Sequence, residues 1–397
     1  MSENESILTI NGGSSSIKFS IYKIEKPLRQ ILNGQIENIG TKKAVLSFKK
    51  SDDHKINNIK IKADNHNEAA YHLVAWLERL GPFESVKAVG HRIVHGMKHT
   101  LPQLITPALI KDLKKISPYD PDHLPEEIRL IEIFRKRFPG FQQVACFDTT
   151  FHRDMPKVAK MLSIPRRFYK KGIQRYGFHG LSFSYLMDEL ERVAGAEVAG
   201  GKVILAHLGS GASLAAVKDG KSRDSSMGFT PASDLVMSTR TGDLDPGVAW
   251  YLMQFEKLTP KQYSHLINHE SGLLGVSGKS PDMRVLSEME IINSDVREAV
   301  ELFCYQTKKW IGSFAAVLGG LDTLVFSGGI GEHSPEIRRR ICEELAFLGI
   351  ELDERKNINN DAIISTERGR STVRVMETNE EFMIAKLVDD VLNLSTK

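Results

Sequence analysis

The sequence predicts a mixed α/β protein made of two related halves, and three observations lead there. At 397 residues the chain exceeds the size at which one hydrophobic core stops growing, so two domains with a ligand cleft between them are expected. Strand-like and helical patterns alternate along the chain. One strand–turn–strand design also occurs twice, roughly half a chain apart.

Ile7 to Asn11 reads as a short buried strand, Gly12-Gly-Ser-Ser-Ser16 as a tight turn, and Ile17 to Tyr22 as the returning strand. Ala70, Leu73, Val74, Leu77 and Leu80 fall on one helical face. Ile128, Ile131 and Phe138 mark another helix beginning at Pro125, where a missing N–H costs nothing. The domain crossover is expected near Asp148, and the Gly- and Ala-rich stretch Ala194 to Gly201 reads as a surface loop. The second hairpin runs from Val203 to His207, turns at Leu208-Gly-Ser-Gly211, and returns from Ala212 to Val217. A long helical pattern, Ser294 to Leu318, then leads to a strand from Asp322 to Phe326.

The 41% hydrophobic and 26% charged content is that of a soluble globular enzyme. The net charge of +3 is spread along the chain, which argues against nucleic acid as the main partner. Cys146, Cys304 and Cys342 lack the spacing of a zinc site or a disulfide framework, so a reducing cytoplasm is expected. The polar, acidic start Met1-Ser-Glu-Asn-Glu-Ser6 lacks the parts of a signal peptide, and no apolar stretch approaches membrane-spanning length.

Three glycine-bearing segments suit phosphate binding, and each also reads as an ordinary turn. Asn11-Gly-Gly-Ser-Ser-Ser-Ile-Lys18 offers N–H groups, hydroxyls, an amide and a lysine for phosphate oxygens or a metal-bound water, although Gly and Ser are also ordinary turn residues. His207-Leu-Gly-Ser-Gly211 puts two glycines where backbone must approach something closely. Asp322-Thr-Leu-Val-Phe-Ser-Gly-Gly-Ile-Gly-Glu-His-Ser-Pro335 is a strand, a glycine turn and a helix start, a geometry that seats a nucleotide. Gly329, Gly331 and the later Glu351 also mimic a dinucleotide fingerprint, but Ser334 stands at its third glycine. Gly275-Val-Ser-Gly-Lys-Ser280 lacks a correctly spaced leading glycine and reads as a plain loop.

Arg92 and Arg240 are each suited to clamp a carboxylate or phosphate, or to make a surface ion pair. Asp148 and His179 lie among aromatic and small neighbours, as catalytic groups or as hydrogen-bonded core groups, and the same choice holds for His91, His95 and His207.

Taken together, these segments resemble acetate kinases along nearly the whole chain and in order: Ile10 to Phe19, Gly90-His-Arg-Ile-Val-His-Gly96, Phe147-Asp-Thr-Thr-Phe-His152, Tyr176-Gly-Phe-His-Gly180, His207 to Ser213, Met227-Gly-Phe-Thr-Pro231, Thr239-Arg-Thr-Gly-Asp243, Phe326 to Glu332 and Thr378-Asn-Glu-Glu381. The resemblance implies duplicated actin/hexokinase-like (ribonuclease H-like) domains around a nucleotide cleft. Residues 1–149 with about 382–397 would form the N-terminal domain and 150–381 the nucleotide-binding domain. It implies reversible conversion of ATP and acetate to ADP and acetyl phosphate, with Mg²⁺ or Mn²⁺, by a cytoplasmic homodimer. Propionate or butyrate kinase activity is the near alternative, and a catalytically weak, nucleotide-responsive binding protein the distant one.

By the same resemblance Asn11 and Glu380 help hold the metal, while Lys18 and His207, Leu208, Gly209, Ser210 and Gly211 face the phosphates. Asp282, Met283 and Arg284 hold the nucleoside together with Gly329, Ile330, Gly331, Glu332 and His333. Arg92 binds the acid, Val94, Tyr119, Phe178 and Pro231 line its acyl pocket, Asp148 is the catalytic acidic residue, and His179 and Arg240 stabilise the transferring phosphoryl group. The chain departs from the family pattern at Tyr119 (usually leucine), Asp120 (histidine), Phe183 (histidine), Ser210 (asparagine) and His333 (asparagine). His123 would replace the missing histidine only through a rearranged loop, and Tyr119 either shortens the acyl pocket or faces solvent.

Overall fold

A computed structural model describes residues 5–13, 15–51, 53 and 55–395; Met1 to Asn4, and Ser14 in the first expected turn, lie outside the described residues. The chain divides into two compact units, Met1–Thr150 with Asn379–Lys397, and Phe151–Thr378.

The first unit holds strands β1 (Ser6–Gly12), β2 (Ile17–Lys23), β3 (Arg29–Glu37), β4 (Val45–Lys50), β5 (Asn57–Lys60), β6 (Val86–Ile93), β7 (Gln103–Leu104) and β8 (Gln142–Phe147). They form one sheet in the order β5-β4-β3-β2-β1-β6-β8-β7. β1 pairs antiparallel with β2 and parallel with β6, which pairs parallel with β8. Every residue of β1 is buried, as expected for a strand covered on both faces. On one side His66–Leu77 contributes Ala70, Leu73, Val74 and Leu77 to a core with Phe19, Leu32 and Phe134. The helix Leu124–Arg137 begins one residue before the expected proline.

The second unit repeats the central order. Its strands β9 (Lys202–Leu208), β10 (Ala212–Lys218), β11 (Lys221–Ser225), β12 (Thr323–Ser327) and β13 (Thr372–Val375) run β11-β10-β9-β12-β13. β9 is antiparallel to β10 and parallel to β12, and β12 is parallel to β13. The five central strands of the first sheet, β3-β2-β1-β6-β8, therefore match β11-β10-β9-β12-β13 in connectivity order and in strand direction, and the duplication read from the hairpins extends to these five-stranded sheet cores.

The long helix is Ser294–Leu318, ended by the left-handed Gly319. Two expectations need correction. Ala196–Gly200, taken as loop, is a short helix, because alanines offset the glycine content that reads as a turn. Gly275 to Ser277, also taken as loop, closes the helix Gly272–Ser277, which Gly278 caps in a left-handed conformation. Among the described residues no helix is long and apolar enough to cross a membrane.

The C-terminal helix Glu380–Leu392 packs on β1 and β6, with Met383, Ile384 and Val388 buried. A Cβ on Gly90 would lie 2.4 Å from Ile384 Cγ2 and 2.6 Å from Val388 Cγ2. Gly90→Ala is therefore expected to lower unfolding stability by about 1–3 kcal/mol, as overpacking does, and an unchanged denaturation midpoint would contradict this packing.

Candidate functional site

In the first unit the parallel pairing of β1, β6 and β8 brings their C-terminal ends level, and each end carries a polar group. Asn11 closes β1, Arg92 lies near the end of β6, and Asp148 follows β8, its N–H donating to Ile93 O at 2.9 Å. Arg92 donates to Asp148 Oδ2 from Nη2 at 2.6 Å and from Nε at 3.0 Å, and from Nη1 to Asn11 Oδ1 at 3.2 Å. Asn11 Nδ2 in turn donates to Glu380 Oε2 at 2.9 Å and Glu381 Oε1 at 3.1 Å. The two glutamates open the C-terminal helix, capped by Asn379. Register sets Asn11 opposite Lys18, so both point to one face of the sheet, and Lys18 is exposed.

Asp148 is fully buried, and burial pushes its carboxyl up against the pull of Arg92. Burial works against the Arg92 charge too, but Asp148 and then Glu380 outweigh it and hold the guanidinium pKa up. Sequence reasoning missed Glu127, a buried acid whose two oxygens both accept from Val94 N at 3.2 Å. Burial and then Asp120 push it well above the usual carboxylate range, Arg92 opposing. Val94 is buried, whereas Tyr119, ending the turn Ser117–Tyr119, is 40% exposed.

In the second unit the turn between β9 and β10 is built for close approach. A Cβ on Gly211 would sit 3.1 Å from Arg240 Nη2 and 3.2 Å from His179 Nε2, so the turn, the guanidinium and the imidazole share one small space. Serine hydroxyls fix the imidazoles: His179 Nδ1 is bonded to Ser213 Oγ and His207 Nδ1 to Ser182 Oγ, each at 2.8 Å. The rings stack at 4.4 Å. His179 has a left-handed backbone, φ 56°, at the start of the helix Gly180–Ala194. Arg240 Nη1 donates to Pro231 O at 2.5 Å, and Ser238 N donates to Ser210 O at 3.1 Å, which ties the arginine's loop to the turn.

Ser327↔His207 pairing sets the loop after β12 beside that turn. Gly328 has φ 74°, and a Cβ there would meet Leu208 O at 2.7 Å, so only glycine fits. Glu332 faces its own loop, Oε1 accepting from Gly328 N at 2.8 Å, Ser327 Oγ at 3.2 Å and Thr378 N at 3.3 Å, while His333 is mostly exposed. Gly329, Ile330 and Gly331 form the helix Gly328–His333. Arg338, fully buried, holds that helix's end by donating to Gly331 O at 2.8 Å and Glu332 O at 3.0 Å. Its signal was available, since Ile337, Arg338, Ile341 and Cys342 form one helical stripe.

Asp282 caps the helix Met283–Met289 and binds its own Arg284, whose Nη2 donates at 2.6 Å; Met283 is buried. Phe178 is buried and its carbonyl accepts from His152 Nε2 at 3.0 Å, so His152 is a bonded core histidine that burial pushes down to about 4. The structure thus gathers Asn11, Arg92, Asp148 and Glu380 in one unit, and His179, His207, Gly209, Gly211, Arg240 and Gly329 in the other.

The Acetokinase family model matches residues 6–386. The chain is 41% identical over 392 residues to an acetate kinase of Methylocella silvestris, covering 96% of each chain. To an acetate kinase of Halothermothrix orenii it is 40% identical, over 96% of this chain and 98% of the relative. Among solved structures, Porphyromonas gingivalis acetate kinase aligns with a TM-score of 0.86 at 34% identity, covering 98% of this chain and 100% of that one. A propionate kinase of Francisella tularensis aligns at 0.90 and 34%, covering 96% and 98%.

The Arg240 loop contains one strained residue. Asp234 has φ 103°, is buried, hydrogen-bonds Ser226 Oγ through Oδ2, and leaves Oδ1 without a partner. Burial pushes its carboxyl well above the usual range, the Ser226 bond opposing. A folded pKa raised above the unfolded value gives stability that is present at acid pH and lost as pH rises through the folded pKa. Asp234→Gly removes both strain and buried acid, so its unfolding free energy should exceed the parent's by about 1 kcal/mol, with a larger gain at neutral than at acid pH. Equal or lower stability at neutral pH would contradict the strain assignment.

Proposed function

The chain belongs to the acetokinase family, and we propose that it transfers the γ-phosphoryl group of ATP to acetate, reversibly, giving ADP and acetyl phosphate. The observation that carries this reading is the convergence of Arg240 Nη2 and His179 Nε2 on the side-chain-free face of Gly211. Such a space, walled by glycine backbone, a guanidinium and an imidazole, suits phosphoryl oxygens.

An ionised carboxylate is already a nucleophile, so no strong base is needed, and catalysis reduces to alignment and charge neutralisation. Arg92 orients the acid, Asp148 fixes Arg92 through two hydrogen bonds, and Val94 and Tyr119 bound the acyl group. Arg240 and His179 neutralise charge on the transferring group, and Gly209 to Gly211 with Lys18 receive the remaining phosphate oxygens. Gly329 to His333 and Asp282 to Arg284 hold the nucleoside.

Mg²⁺ or Mn²⁺ fits the donors at Asn11 and Glu380, which are hard oxygens. Among the described residues no group of three or more His, Cys, Asp or Glu is gathered for an ion. Mg²⁺ is commonly bound by one or two protein groups together with substrate phosphates. When bound, the ion supplies charge neutralisation at those phosphates.

The helix Pro246–Gln254 buries no residue and shows Trp250 and Tyr251, followed by Phe255, which is the kind of apolar face a homodimer would cover. The free, buried Cys146, Cys304 and Cys342 suit a reducing cytoplasm.

ADP release against formate, acetate, propionate, butyrate, glycerol and glucose tests the reading, with acetate expected to lead and the alcohols to be inert. Asp148→Asn and Arg240→Ala should each lower kcat on the order of 10³-fold without loss of fold, and near-native turnover in both would remove these roles. Tyr119→Leu should improve kcat/KM for propionate relative to acetate by a factor worth about 1–3 kcal/mol at most, and an unchanged ratio would place Tyr119 outside the pocket.

A further inference from the structure

We propose that Ser182 and Thr378 are positioning residues for nucleotide phosphates: their hydroxyls form a directed chain that makes His207 an Nε2–H donor facing the Gly209 turn. The inference rests on the reading that this turn receives the phosphates of ATP, and deepens it.

Ser182 lies near the start of the helix Gly180–Ala194 and is fully buried. Thr378 Oγ1 donates to its Oγ at 2.8 Å, and the same Oγ lies 2.8 Å from His207 Nδ1. Among the described residues the Ser182 hydroxyl has no third hydrogen-bond partner. Thr378 has given its proton to this oxygen, so the Ser182 proton has only Nδ1 to go to. Turned elsewhere it would be a buried donor without an acceptor, which is costly. Nδ1 is therefore the acceptor of the bond, and the ring proton sits on Nε2.

That nitrogen faces the turn. A Cβ built on Gly209 would lie 3.6 Å from His207 Nε2 and 4.0 Å from Gly329 N, so the imidazole, the glycine turn and the loop after β12 border one space. Stacking on His179 at 4.4 Å holds the ring plane. An N–H aimed at this space binds a phosphate oxygen, whereas the other tautomer would present a lone pair and repel it. Thr378 serves both sides of the space, since its N–H donates to Glu332 Oε1, which also accepts from Gly328 N.

Nitrogen-15 NMR of the parent with labelled histidine tests the chain, the His207 signals being those missing from His207→Gln. The spectrum at neutral pH is expected to show His207 as the Nε2–H tautomer, and ADP with Mg²⁺ is expected to shift its Nε2 signal. Steady-state kinetics give a second readout. Ser182→Ala should lower kcat/KM for ATP roughly tenfold, with KM for acetate unchanged. Thr378→Val, which keeps the N–H bond to Glu332, should lose less in the same direction, and Thr378→Ser should restore the parent's values. A proton on Nδ1 of His207 in the parent, or a Ser182→Ala variant within about twofold of the parent in kcat/KM for ATP, would overturn the inference. So would an equal loss in Thr378→Ser and Thr378→Val. A parent that binds ADP and shows the Nε2–H tautomer, yet phosphorylates no carboxylic acid, would overturn the acetate reading alone.

Discussion

The first unit is organised around a buried ion pair. Arg92 and Asp148 come from neighbouring parallel strands, and neither is tolerable alone where it lies, since a buried charge without its partner costs several kcal/mol. The pair exists because β6 and β8 run in the same direction and in register, Arg92 opposite Cys146 and Ile93 opposite Phe147, so the residue after β8 reaches back to the arginine. Asn11 then spans from the pair to Glu380, which gives the last helix a polar anchor as well as an apolar one. Sheet topology, C-terminal packing and the proposed acid-binding group are thus consequences of one arrangement of strand ends, where open α/β sheets place their ligands.

The second unit uses the same sheet order for a different chemistry. Its strand ends carry glycine instead of a buried ion pair, and the charged groups arrive from the helix start at His179 and the loop at Arg240. Because the backbone itself forms the wall, precision depends on what pins the backbone and rings. Ser213 and Ser182 fix the imidazoles, Glu332 staples the loop after β12, and Arg338 holds that loop's far end. Preorganised dipoles of this kind need little rearrangement when negative charge moves.

Both hairpins were legible because strands covered on two faces leave continuous apolar runs bounded by glycine, and the long helix because its periodicity lasts through many turns and ends at Gly319. The order of motifs was equally plain. What escaped was the support around them. Glu127 looks like an ordinary helix-surface charge until Val94 N is brought in, and Arg338, although it lies on its helix's apolar stripe, shows no partner until Gly331 O is brought in. Asp234 gives no sign that its backbone turns left-handed, since that is set by the loop closing against Asp243.

In the proposed reaction an oxygen of the acid itself attacks phosphorus, with the protein supplying alignment and charge. Phosphorus-31 spectroscopy of the product formed from ATP and acetate labelled with oxygen-18 in both carboxylate oxygens tests it directly. The expected product is acetyl phosphate whose phosphorus signal carries the shift of one bonded heavy oxygen. Acetyl phosphate without that shift, or labelled acetate left unchanged while ATP is consumed, would contradict it.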